Sequence, residues 1–180
     1  MGGANKLLLE LGGVPLVARS ADAVLGSAAR PVVVVTGHQA PEVRRALAGR
    51  ELSFVHNAAS AEGLAGSLRA GVAALGEEMA AAVVCLGDMP WVRPAHIDAL
   101  IAAFAASGER AICVPTFEAR RGNPVLWPAR YFAEIRALTG DRGASALLAA
   151  HADEVRSVPV SDPGVTLDVD TPAAWRKLSA

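Results

Sequence analysis

Residues Ala81–Val92 read AAVVCLGDMPWV, and the reading of this stretch decides the fold. The apolar run Ala81–Leu86 stops at Gly87, a carboxylate follows at Asp88, and Pro90 blocks any continuing strand. A short, almost wholly apolar run bounded by turn residues is the pattern of a strand buried on both faces. Such strands belong to parallel sheets covered by helices, where ligands bind just beyond the carboxyl ends of the strands. Asp88 stands at such an end. The stretch alone leaves two uses open for it: a ligand-side carboxylate, or a turn residue ahead of the helix that follows Pro94.

Outward from this strand, strands and helices alternate. Pro31–Thr36 (PVVVVT), Leu52–Val55, Ala111–Pro115 and Val155–Val160 read as further strands. Leu16–Leu25, Pro41–Leu47, Leu64–Leu75, Ala129–Leu138, Ala144–Ala150 and the segment after Pro94 read as helices. Thr171 is placed to cap a last helix with Pro172 at its first position, after an extended Val165–Val169. The alternation predicts an α/β fold: a three-layer sandwich with a mostly parallel, doubly wound sheet. Thr116–Pro128 (TFEARRGNPVLWP) breaks the rhythm and is expected to leave the sheet as a hairpin.

Composition bounds the function. A chain of 180 residues with 52% hydrophobic and 19% charged residues is long enough for one domain, residues 1–180, with a real core. A net charge of -1 gives no electrostatic case for nucleic acid or an anionic membrane as partner. No apolar stretch is long enough to span a bilayer, and the first residues do not form a signal peptide. Cys85 and Cys113 fall within apolar runs and read as buried core thiols in a cytoplasmic protein. His38, His56, His96 and His151 share no metal-ligand spacing, and His96 and His151 are expected on helix surfaces. Arg120-Arg121 reads as a solvated turn, and Trp91, Trp127 and Trp175 as packing residues.

Two stretches carry chemistry beside Asp88. Met1–Lys6 is MGGANK, in which Gly2 and Gly3 would let backbone N–H groups approach an anion while Lys6 adds a mobile positive charge. The same residues also suit an ordinary chain terminus. Asp168 and Asp170, in an extended segment, point to one face while Val169 points to the other. They are either a cap and its solvated neighbour or, joined with Asp88, a Mg²⁺ site, since magnesium takes one or two carboxylates plus phosphate oxygens and water. With a phosphate cradle, that combination points to metal-assisted phosphoryl or nucleotidyl transfer.

Together these residues resemble the MobA-like nucleotidyltransferases, and within them the molybdenum cofactor cytidylyltransferases. Met1–Lys6 resembles the end of that family's opening signature. His56-Asn57 and Glu62–Gly71 (EGLAGSLRAG) are similar to its base- and ribose-side loop. Gly87-Asp88-Met89-Pro90 resembles the motif whose aspartate holds Mg²⁺. Gly122–Trp127 (GNPVLW) is similar to its pterin-side segment, Gly140–Ala144 (GDRGA) to a further loop, and Asp168–Pro172 (DVDTP) to its ending.

The resemblance implies a Rossmann-like sheet of the nucleotide-diphospho-sugar-transferase type. It implies transfer of CMP from CTP to molybdopterin-bound molybdenum cofactor with release of pyrophosphate, dependent on Mg²⁺. Lys6 and Asp88 would be catalytic. Gly2, Gly3, Lys6, Asn57, Gly66, Ser67 and Asn123 would contact nucleotide or cofactor. Asp88 and Asp170, with Asp168 as a third, would hold the metal. GMP transfer, another phosphorylated acceptor, or a non-catalytic carrier serving a molybdenum hydroxylase through Thr116–Pro128 are the rival readings. The family's first strand and the first half of its signature have no counterpart ahead of Met1, so the native start is expected upstream of the given sequence.

Overall fold

Apolar alternation along each strand assigns the faces of the molecule. A computed structural model of the chain describes residues 5–58, 63–140 and 144–169. A 3-10 turn at Lys6–Leu8 leads into a short antiparallel hairpin, β1 (Glu10–Leu11) and β2 (Val14–Pro15). There follow α1 (Leu16–Leu25), β3 (Val33–Thr36), α2 (Ala40–Ala46), β4 (Ser53–His56), α3 (Leu64–Ala73) and β5 (Ala81–Val84). Then come α4 (Pro94–Ala106), β6 (Ile112–Phe117), β7 (Arg120–Arg121), β8 (Val125–Pro128), α5 (Phe132–Arg136), α6 (Ser145–Ala150) and β9 (Val155–Pro159).

β3 and β4 pair in parallel, Val33 opposite Ser53 and Thr36 opposite His56. The larger sheet runs β5–β8–β6–β7, with β9 parallel to β6 along its other edge. In the larger sheet Ala82, Val84, Ile112, Val114, Val125 and Trp127 face α3 and α5, whose Leu68, Val72, Phe132 and Ile135 cover them. The alternate residues Ala81, Val83, Cys113 and Leu126 face Leu100 and Phe104 of α4. On the smaller pair, Val34 and Phe54 pack with Val17 and Ala21 of α1 and Val43 of α2. α3 lies on the other face there, where Gly71 approaches Val35 closely. Helices therefore cover both faces of a mixed sheet, and the α/β sandwich expected from the sequence is the one observed. Among the described residues β3 pairs only with β4, and β5 only with β8.

The structure corrects four expectations of secondary structure. Thr116–Pro128 does not leave the sheet: β7 folds back on β6, and β8 then runs antiparallel between β5 and β6. Val125–Pro128 is buried throughout, and a segment that apolar has no solvated place to go. Arg120-Arg121 is an exposed strand pair, the turn itself lying at Glu118 and Ala119, both with positive φ. Val165 and Thr166, expected extended, close the 3-10 turn Pro163–Thr166, and only Leu167–Val169 continue without regular structure. Ala129–Leu138 is split into a 3-10 turn at Ala129–Tyr131 and the short α5. Gly2, Gly3, Glu62, residues 141–143 of the GDRGA loop, Asp170, the expected helix at Thr171-Pro172 and Trp175 lie outside the described residues. No helix among the described residues is long and apolar enough to cross a membrane.

Candidate active site

The site is built from a turn, a strand end and a strap. Asn5 accepts a hydrogen bond from Leu7 N–H through its side-chain oxygen (3.1 Å), capping the turn that carries Lys6. Leu7 and Leu8 pack among α1 and α2. Gly87 lets this turn come close, since a Cβ there would stand 3.3 Å from Leu7 Cδ2 and 3.7 Å from Val17 Cγ2. Lys6 Nζ thereby reaches Asp88 Oδ2 at 2.6 Å. The Asp88 side chain is 15% exposed and that of Lys6 36%. The pair joins residues 82 positions apart and stays partly open to solvent.

The strap is the stretch from Asp162 to Val169. Val169, fully buried, donates its N–H to the Asp88 carbonyl oxygen at 3.2 Å. Asp168, next to it, is exposed. The alternation predicted for this segment therefore holds across Asp168 and Val169, and it sets Asp168 next to Asp88 along the backbone. Asn123 N–H donates to the Val165 carbonyl at 2.8 Å, so the strap also ties down the Gly122-Asn123 turn. A second constellation follows β4: Asn57, 8% exposed, donates its N–H to the Thr36 carbonyl at 2.7 Å and its amide Nδ2 to Ser67 Oγ at 3.3 Å. Gly66 is buried beside Ser67 in the first turn of α3. Of the expected site residues the structure thus joins Lys6 with Asp88, Asn57 with Ser67, and the Asp168 and Asn123 segments through the strap.

The donor set decides which metal could fit. Among the described residues no group of three or more His, Cys, Asp or Glu is assembled. Asp88 and Asp168 offer carboxylate oxygens, and Mg²⁺ asks for one or two of these with phosphate and water completing the shell. The residues therefore fit magnesium or a similar hard cation. Cys85 is no candidate ligand: burial pushes its thiol up to about 12.

One buried polar cluster escaped the sequence reading. His96, expected on the surface, is 5% exposed. Its Nδ1 accepts from Arg93 N–H (3.2 Å), and its Nε2 meets Asp162 Oδ2 at 2.9 Å. Burial alone would raise the Asp162 carboxyl, but the Gly164 N–H, then His96 and the nearby Arg93, outweigh it and hold it below the usual range. The signal was present in Asp162-Pro163-Gly164, a turn-forming triplet whose aspartate caps the following residues, and in the position of His96 three residues after Arg93 at a helix start.

A family model described as the MobA-like NTP transferase domain matches residues 1–155. Among curated proteins, the Bifunctional protein GlmU of Kineococcus radiotolerans is 37% identical over 105 residues, which is 57% of this chain and 21% of that protein's length. Among solved structures, Rv0371c from Mycobacterium tuberculosis H37Rv superposes with a TM-score of 0.86 at 29% identity, over 98% of this chain and 89% of that one. Its complex with manganese gives 0.83 at 27%, over 98% and 92%. Molybdopterin-guanine dinucleotide biosynthesis protein A from Archaeoglobus fulgidus gives 0.69 at 16%, over 98% and 90%, a likeness of fold alone.

Proposed function

This chain belongs to the MobA-like NTP transferase domain family, and from that premise we propose that it transfers CMP from CTP to molybdopterin-bound molybdenum cofactor. The observation that carries the proposal is the Lys6–Asp88 contact at 2.6 Å, beside which Val169 N–H seats the Asp168 segment. A cation and a carboxylate at a strand end, with a second aspartate-bearing segment tied to the same loop, suit a triphosphate with its metal.

In this reading the terminal phosphate of the cofactor attacks the α-phosphorus of CTP in line. A new phosphorus–oxygen bond forms as the α–β bridge breaks, and pyrophosphate leaves with its electron pair. No covalent enzyme intermediate is needed. Lys6 lies against the phosphates and neutralises charge as it builds. Asp88, Asp168 and Asp170 would hold Mg²⁺, which supplies charge neutralisation on the triphosphate. The manganese complex of Rv0371c supports a divalent cation on this fold. Gly2 and Gly3 would offer backbone N–H groups to the phosphates. Asn57, Gly66 and Ser67 would face base or ribose, with the Asn57 backbone held by the Thr36 carbonyl and its side-chain amide directed by Ser67 Oγ. Asn123 would face the pterin.

A nucleotide panel tests this directly. CTP, GTP, ATP and UTP are each offered with Mg²⁺ and loaded cofactor, and pyrophosphate is measured. CTP is expected to lead. Preference for GTP would reassign the transferred group. Cofactor bound without any pyrophosphate would make the protein a carrier.

A further inference from the structure

The strap from Asp162 to Val169 is held at both ends and in the middle. At its start Asp162 Oδ1 accepts from Gly164 N–H at 2.9 Å and Oδ2 accepts from His96 Nε2 at 2.9 Å. Because His96 Nδ1 already accepts from Arg93 N–H, the ring proton lies on Nε2 and points at Asp162. Gly164 backs onto the Trp91 carbonyl and Gly122 onto the Val165 carbonyl, each so closely that a Cβ would overlap the oxygen. At its end Val169 N–H meets the Asp88 carbonyl.

We infer that His96 and Asp162 are positioning residues that hold the strap, and with it Asp168, beside Asp88. The inference rests on the reading of Asp88 and Asp168 as cation ligands. Its physical basis is a chain of fixed groups. Leu167–Val169 has no regular structure, so its path depends on tertiary anchors. Val169 anchors its end, Asn123 ties down Val165, and the 3-10 turn that Asp162 caps anchors its start. Asp162 is in turn fixed by a buried imidazole in the first turn of α4, the helix that begins just after the Asp88 loop. The same short segment, Gly87–His96, therefore carries one carboxylate and, through His96, locates the other. Partners that orient metal ligands in this way typically change metal affinity tenfold or more when removed.

The test is Mn²⁺ binding to the full chain, read as loss of the free-ion paramagnetic resonance signal, with Mn²⁺ alone as probe. Asp162→Asn keeps an oxygen for Gly164 but sets an amide N–H against the His96 N–H, and the ring cannot invert because Nδ1 is taken. His96→Leu removes the same bond from the other side. Both are expected to weaken Mn²⁺ binding about tenfold. His96→Gln, which can accept from Arg93 and donate to Asp162, is expected to restore most of the affinity. Glu134→Gln removes the charge from a comparable carboxylate–histidine contact, that with His151 at 2.8 Å, away from the strap, and should leave Mn²⁺ affinity unchanged. Unaltered binding in both Asp162→Asn and His96→Leu would overturn the inference. So would an equal loss in Glu134→Gln, which would mark a general effect of stability. Asp88→Asn separates the two levels: undiminished Mn²⁺ binding there would overturn the cation reading itself.

Discussion

Gly87 shows how one missing side chain organises a site. Its bare Cα admits Leu7, Leu7 seats the turn, and the turn delivers Lys6 to Asp88. The contact itself is expected to add little to stability, because Lys6 is more than a third exposed and solvent-screened ion pairs contribute at most about 1 kcal/mol. Asp88→Asn should therefore keep the parent melting temperature within a few degrees while lowering turnover at least about a hundredfold, the usual loss for one charge-stabilising group. Turnover within about tenfold of the parent would remove Asp88 from the chemistry. A second prediction concerns Asp162, whose carboxyl lies below its ordinary 3.8. Its stabilising effect is then fully present above that value and is lost as pH falls through the lower folded value. The melting-temperature gap between the parent and Asp162→Asn should accordingly shrink on going from about pH 6 to about pH 3. A gap independent of pH would show that the carboxylate charge is not what holds the strap. Asp88 was legible in the sequence because a strand end and a proline marked it. His96 was not, because its partner lies 66 residues away and a histidine in a first helical turn reads as solvated.

Among the elements, β8 has the largest consequence. Its four residues are buried on both faces, and Trp127, 1% exposed, packs edge-on to Tyr131 with ring centroids 5.9 Å apart. Trp127→Ala should cost about 3–5 kcal/mol, read by denaturant unfolding, because neither face can collapse into the space left. The apolar run VLWP gave no sign of where it inserts, since a run without alternation carries no register, and the segment was therefore expected to leave the sheet. The same antiparallel return places Gly122-Asn123 against the strap at Val165. Asn123→Ala is expected to raise the KM for the molybdopterin substrate several-fold and leave that for CTP unchanged. The reverse pattern would move this segment to the nucleotide side.

Across the whole molecule, the alternation of the main strands and helices, β1, β2, β7 and β8 aside, was legible because helices carry the 3.6-residue period and strands short apolar runs. The assignment of faces followed from alternation: Ala82 and Val84 meet α3 and α5, while Ala81 and Val83 meet α4. What the sequence left open was how distant segments close on one another, since that depends on strand insertion and on backbone contacts such as Val169 to Asp88. Those closures bring the Asp88 loop, the Asn123 turn and the Asp168 segment into one connected structure, and the central claim is that it works as a nucleotidyltransferase. The measurement that tests this most directly is pyrophosphate release from CTP with Mg²⁺ and loaded molybdenum cofactor, compared between the parent chain and Asp88→Asn. The account predicts one pyrophosphate for each cytosine dinucleotide formed by the parent and almost none from the variant. Cofactor binding with no pyrophosphate from the parent, or equal release from both proteins, would contradict it.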